Sequence, residues 1–312
     1  MRIIFWGSGD FALVSLKKLA SKHQILAAII PTDKKKGRGL KISIDPVKEF
    51  SQQRGFEIYQ PKDFSADFIN VLKRKKSQLF VVVNYGRKLS NEILGIPKIY
   101  SINLHPSLLP KYRGPAPINW ALIQGEKKTG VSIIKIGEKI DAGEIIYQKK
   151  IGIKQGENAG ELTERLAKEG ANALLKAIEL LESGQVELSV QNEQQATYFP
   201  KLDKSDGEID WSKSAEQIYN LIRGFTPRPG AFTFWKEKRI KIWRTRLSQK
   251  EFPSTASGTI LEVSKSNGIL AATENGTLWI EELQREGKRR MTAGEFVIGH
   301  KIKKGENLCK LE

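Results

Sequence analysis

Nearly unbroken apolar runs recur through the first third of the chain: RIIFW at 2–6, QILAAII at 24–30, QLFVVVN at 78–84 and YSINLH at 100–105. This feature constrains the fold more than any other. A strand with one wet face alternates apolar and polar residues, whereas a strand covered on both faces reads as a continuous apolar run. Between the runs, GSGDFALVSLKKLASKH and SADFINVLKRKK read as helices, the first with Phe11, Val14, Leu16 and Leu19 at helical spacing. Strands alternating with helices predict an α/β domain: a Rossmann-like, mostly parallel sheet with helices on both faces. Its sites would open at the carboxyl ends of the strands. A longer helical pattern, ELTERLAKEGANALLKAIELLE, fits about 158–183 and stops at Gly184, a plausible C-cap.

The texture changes near LDKSDGEIDWSKS. A helix (AEQIYNLIRGF) and a Pro-Gly turn (TPRPGAF) lead into short segments, TFWKEKRIKIWRT, GTILEVS, GILAAT and GTLWIEEL, separated by Gly and Asn. That pattern predicts a small β-barrel or sandwich, with an OB-like barrel the expected form. At 312 residues the chain exceeds one average domain, and two are expected, at 1–205 and 206–312. There are 52 Lys and Arg against 35 Asp and Glu, a net charge of +17. Residues 209–312 contribute +7, from 19 basic and 12 acidic side chains, so charge per residue there is about 1.4 times that of the first 208. A field this basic attracts polyanions before contact, which makes nucleic acid a candidate partner. A basic surface that serves only solubility is the plain alternative.

Other classes recede. No apolar run approaches the roughly 18 residues of a membrane span, and the opening MRIIFWGSGDF lacks a signal-peptide cleavage pattern; a cytoplasmic protein with no membrane partner is expected. Cys309 is the single cysteine, and His23, His105 and His300 have no metal-ligand spacing, so no metal is expected.

Chemistry concentrates in SINLHPSLLPKYRGPAPINWAL at 101–122. Positions two apart on a strand face the same way, so Asn103 and His105 project together before Pro106 ends the ladder. Downstream, GEKIDAGEII sets Asp141 in a turn between Gly137 and Gly143. An amide donor, a charged imidazole and a carboxylate suit attack on a carbonyl, with a substrate amine as nucleophile. From the residues alone, a lone His after a strand is more often structural and Asp in such a turn is usually an Asx-turn, and a separation of 38 positions (103 to 141) establishes no contact.

The run INLHPSLLPKYRGPAPINWALIQGEKKTGVSI with the later IDAGEII resembles the signature of the folate-dependent formyltransferases, and the likeness extends over nearly the whole chain. The resemblance implies that Asn103 and His105 polarise the formyl group of 10-formyltetrahydrofolate and that Asp141 serves the proton transfers. It implies that Ser107, Leu108, Leu109 and Pro110 lie beside the folate, with Gly86, Arg87 and Leu89 lining the pteridine pocket. The segment TDKKKGRGLKISIDPVK and the basic second domain resemble the branch of the family whose acceptor is initiator methionyl-tRNA. Lys34, Lys35, Lys36, Arg38 and Lys41 would then meet the acceptor arm from a loop that orders on tRNA, and the protein is expected to act as a monomer. Relatives that formylate other amines, or hydrolyse formyl-folate, fit less well. GSGDF stands where the family has GTPDF. The change creates a GxGxxA pattern, Gly7, Gly9 and Ala12, with Asp33 downstream, so an NAD-dependent enzyme is the competing reading.

Overall fold

The computed structural model describes residues 1–33, 35–36, 41–42, 44–250 and 255–309. The chain forms two units: 1–114 with 128–152 and 163–199, and 115–127 with 153–162 and 200–309. The cut falls after Phe199 where the sequence placed a division at 205, and two internal segments expected in the first domain group with the second unit. One cause is local: α5 (Pro117–Ile123) packs on α7 (Ala215–Phe225), where Asn119 Nδ2 donates to the Gly224 carbonyl at 2.7 Å.

In the first unit the strands are β1 (Arg2–Gly7), β2 (Gln24–Ile29), β5 (Ile58–Tyr59), β6 (Leu79–Val83), β7 (Tyr100–His105), β8 (Lys128–Lys135) and β9 (Ile145–Gly152). Their order is β5-β2-β1-β6-β7-β8-β9. The first five are parallel, and β7–β8 and β8–β9 are antiparallel. All of β6 and all of β1 after Arg2 are buried, as unbroken apolar runs require. Helices α1 (Gly9–Ala20), α2 (Pro46–Gln53), α3 (Ala66–Arg74), α4 (Asn91–Leu94) and α6 (Ala159–Glu182) complete the α/β pattern; the first residues of α6 group with the second unit. Gly184 ends the helical segment at φ +70°. The sequence reading has no strand between 106 and 157. β8 and β9 escape it because KTGVSIIK is interrupted by Gly130 and IIYQKKIG exposes two of its lysine-flanked positions.

The Lys-rich segment was expected to be an irregular loop. Over its described residues it is a short antiparallel ribbon of β3 (Lys35–Lys36) and β4 (Lys41–Ile42), with Lys35 opposite Ile42 and Lys36 opposite Lys41. Lys34 and Arg38, and so the expectation placed on them, lie outside the described residues.

The second unit carries an antiparallel sheet in the order β10 (Ala231–Trp235), β11 (Lys238–Ser248), β14 (Thr277–Arg285), β13 (Gly268–Ala272), β12 (Ile260–Ser264), with β15 (Met291–Thr292) on β14. Lys236 and Glu237 both take positive φ, 49° and 59°, in the tight turn that joins β10 to β11. Ser214 and Gln217 form a capping box that starts α7, and a second box of Thr292 and Glu295 starts α8 (Ala293–His300). Ile218, Ile222 and Phe225 of α7 join Ile240, Ile242, Leu278, Ile280 and Phe296 in one core. Among the described residues no helix is long and apolar enough to cross a membrane.

Candidate active site

β7 aims the site. Leu104 is buried against α6, where a Cβ added to Gly170 would come within 2.7 Å of its Cδ2. Alternation along the strand then turns Asn103 and His105 to the opposite face. Asn103 is half-buried, and no hydrogen bond holds its side-chain amide among the described residues. It is free to donate to a ligand. His105 is buried and fixed from both sides: Nε2 lies 2.9 Å from the Tyr112 carbonyl and Nδ1 lies 3.5 Å from Asp141 Oδ1. Each ring nitrogen thus faces an acceptor.

Asp141 sits between β8 and β9 in a left-handed conformation, φ +54°, which aspartate tolerates better than most residues. Its Oδ2 accepts the Gly114 N–H at 2.9 Å, and its own carbonyl accepts from Gln191 Nε2 at 2.9 Å. Two glycines are required by close approach. A Cβ on Gly143 would lie 1.7 Å from the Lys135 carbonyl oxygen, and one on Gly114, at φ +114°, would lie 2.3 Å from that of Phe199. The tertiary structure thus brings Asp141 to His105 across 36 positions, a contact that sequence spacing left open, at ion-pair distance.

The loop after β7 is held by a buried polar network. Ser107 is fully buried, and its hydroxyl donates to the Lys111 carbonyl at 2.7 Å. Ser132 donates to the Ser107 carbonyl and accepts from the Leu109 N–H, while Gln148 Nε2 bonds both the Leu109 carbonyl and Ser132. The Ser107 hydroxyl therefore shapes the loop from inside it. Leu109 is buried, and Leu108 and Pro110 are partly exposed. In the other segment, Gly86 takes φ +75° at an open position and Leu89 is buried. Arg87 donates to the carbonyls of Pro61 and Lys62 at 2.7 and 3.0 Å and stacks its guanidinium 4.3 Å from the Phe64 ring centre, so it braces that wall. Tyr85 is buried beside it, and burial raises its phenol above the ordinary value.

Sequence reasoning missed Tyr112, Gly114, Ser132, Gln148 and Gln191. The first two lie in the quoted KYRGPAP stretch and could have been suspected from their nearness to the motif. Gln191 stands in the polar run SVQNEQQ, which has no local signal.

The dinucleotide reading fails on geometry. Both Asp45 carboxylate oxygens accept the Gly9 N–H at the start of α1, at 3.2 and 3.0 Å, and Oδ1 also caps α2 through Val47 N–H. A helix N-terminus that would receive a pyrophosphate already holds a carboxylate. Asp33, needed for a ribose, is tied to Lys48 at 2.5 Å and Gln60 at 3.0 Å; the Lys48 hydrogen bond holds its carboxyl below the usual range. Among the described residues no cluster of His, Cys, Asp and Glu could hold a metal ion.

Residues 1–178 match the formyl transferase family, and 201–301 match its C-terminal domain. A methionyl-tRNA formyltransferase of Acetivibrio thermocellus is 41% identical over 310 residues, 99% of each chain. One of Clostridioides difficile is 40% identical over 307 residues, 98% of this chain and 99% of the other. The solved N-formyltransferase of Helicobacter canadensis, in complex with folinic acid and dTDP-3-aminofucose, has a TM-score of 0.69 at 20% identity; it is similar over 91% of this chain and 98% of its own. At that identity it speaks for the fold. With both domains matched and relatives this similar along their full length, the chain belongs to the formyl transferase family.

Proposed function

We propose that this protein transfers the formyl group of 10-formyltetrahydrofolate to the α-amine of initiator methionyl-tRNA, giving N-formylmethionyl-tRNA and tetrahydrofolate. The observation that carries the reading is the convergence of an unengaged amide, Asn103, with an imidazole braced by Asp141 at the end of β7. The neutral amine attacks the formyl carbon, and the carbonyl oxygen becomes an oxyanion. Asn103 donates to that oxygen from its unengaged amide, and His105 joins it by exchanging the Tyr112 carbonyl for the oxyanion, the part of the reaction where charge develops. Asp141, directly or through water, takes the proton released by the amine, N10 of the folate is protonated as the C–N bond breaks, and the formyl group stays on the amine. Ser107, Leu108, Leu109, Pro110, Gly86, Arg87 and Leu89 are the residues assigned to the folate, with Ser107 and Arg87 acting by holding the walls.

The acceptor is assigned from the full-length similarity and from charge. The second unit contains a cleft of about 670 Å³ whose lining includes Arg223, Trp243, Arg244, Arg246 and Arg290 together with Glu126, Glu161, Glu216 and Glu281; Arg244 and Arg246 pair with Glu281 and Arg290 with Glu282, so a nucleic-acid backbone would meet cations that exchange partners. Lys34, Lys35, Lys36, Arg38 and Lys41 are assigned to the acceptor arm. This reading makes the protein a cytoplasmic monomer that uses folate as co-substrate and no metal.

The test is to incubate the protein with a labelled formyl donor and charged initiator tRNA. Label should enter the aminoacyl-tRNA and be absent with uncharged tRNA. No label in the charged tRNA would sink the reading.

A further inference from the structure

Behind Asp141 stands a buried arginine that no step of the reaction uses. Arg113 is 0% exposed, and every one of its five guanidinium hydrogens has an acceptor. Nε and Nη2 both donate to Gln191 Oε1, at 3.1 and 2.8 Å. Nη2 and Nη1 also grip the two oxygens of Glu193, at 2.8 and 3.0 Å, and Nη1 reaches the Tyr198 hydroxyl. The Glu193 hydrogen bond raises the arginine's already high pKa, and the same contact lowers that of Glu193.

The consequence runs through Gln191. Arginine can only donate, so the glutamine oxygen must face it and the amide nitrogen must face away. There its two hydrogens meet the carbonyls of Asp141 and Gly143, at 2.9 and 2.7 Å. The residue after Arg113, Gly114, gives its N–H to the Asp141 carboxylate. The carboxylate of Asp141 is thus held by the backbone beside Arg113, and its main-chain carbonyl by the side chain that Arg113 orients. A turn that holds a non-glycine residue at φ +54° needs such restraint to keep the carboxylate at one distance from His105.

We propose that Gln191, oriented by Arg113, is a positioning residue that sets the placement of the Asp141 carboxylate for proton transfer. The inference rests on the catalytic reading of Asp141. Arg113 also bonds Thr197 and Phe199 through its main chain, so a purely structural part for the arginine has to be separated from this one, and substitutions at Gln191 do so.

Gln191→Glu keeps an oxygen toward Arg113 but sets the other against two carbonyl oxygens. It preserves the arginine contact while removing the hold on the turn. For Gln191→Glu, and for Gln191→Ala in case the first is poorly folded, kcat should fall about tenfold to hundredfold with KM for folate and tRNA within about threefold, as expected when a reacting group is displaced by up to an ångström. In an Asp141→Asn background, itself strongly impaired, the same substitution should cost less than about threefold, because residues acting through one another are not additive. Arg113→Lys, which cannot span Gln191 and Glu193 together, should show the same kcat-selective loss. Melting temperatures measured alongside identify loss by unfolding. Normal kcat in folded Gln191→Glu and Gln191→Ala, or equal fold losses in both backgrounds, overturns the proposal while leaving Asp141 catalytic. Near-normal turnover of Asp141→Asn alone overturns the catalytic reading and this proposal with it.

Discussion

Replacing Gly143 by alanine tests whether the turn that carries Asp141 is built to a tolerance below an ångström. The added Cβ would lie 1.7 Å from the Lys135 carbonyl oxygen and 2.9 Å from its carbon. That contact is with backbone inside a ladder, so a side-chain rotation cannot relieve it. Reaching an ordinary separation of about 3.4 Å requires the strands to part by roughly 1.7 Å. Two hydrogen bonds stand in the way: Lys135 N–H to the Glu144 carbonyl at 2.9 Å and Gln191 Nε2 to the Gly143 carbonyl at 2.7 Å. At about 1 kcal/mol each, their loss costs on the order of 2 kcal/mol, which in a domain of this size lowers the melting temperature by about 4–8 °C. Asp141 stands two residues away, and a displacement near 1 Å at a reacting group lowers turnover by about a hundredfold. Formyl transfer measured well below the melting point, beside a thermal melt, separates the two effects. Unchanged turnover with a melting temperature within about a degree of the parent would refute the reasoning.

Asn103→Ala and His105→Ala should each lower kcat by about a hundredfold or more, the loss typical of one oxyanion donor, and near-normal transfer by either in the labelled-formyl assay would remove it from the mechanism. Asp45→Ala, which uncaps α2 and frees the Gly9 N–H, should destabilise by about 1 kcal/mol, read by denaturant titration, without creating affinity for NAD. Glu193 has a lowered pKa in the folded protein, so the stability it adds is present above its unfolded value of 4.5 and is lost as pH falls through the lower folded value. Melting curves from pH 7 to 3 should therefore show a smaller acid loss for Glu193→Gln than for the parent. Arg38→Ala should depress formylation of tRNA severely while sparing folate binding, whereas neutralising one neighbouring lysine should flatten the salt dependence of tRNA binding by about one phosphate contact; equal mild effects would reduce the segment to a general electrostatic fringe.

Truncation after 205 is a harsher perturbation than the sequence suggests. It removes α7, whose Gly224 carbonyl accepts from Asn119 and whose glycine lies against Ile123 of α5. Loss of folate binding in a 1–205 fragment would therefore not locate the folate in the second unit.

What the sequence determines by itself is everything set by local spacing and by composition. The buried strands β1, β2, β6 and β7 are legible because an apolar run without alternation has only one stable place in a sheet. The β12, β13 and β14 segments are legible because Gly and Asn punctuate them, and α6 and α7 because apolar residues return at the helical period. The pairing of Asn103 with His105 is legible too, since strand geometry puts i and i+2 on one face. Three things are decided only by the tertiary structure. Asp141 reaches His105 because β8, antiparallel to β7, ends level with Ile102 and the segment after it folds back to the strand end, a path that no local pattern announces. Asp45 closes the GxGxxA turn against an anion from 36 positions away. Arg113 and Gln191 meet across 78 positions. A hydrogen bond between distant residues leaves no trace in local periodicity, because its partners are chosen by where the backbone arrives rather than by what stands beside them in the chain.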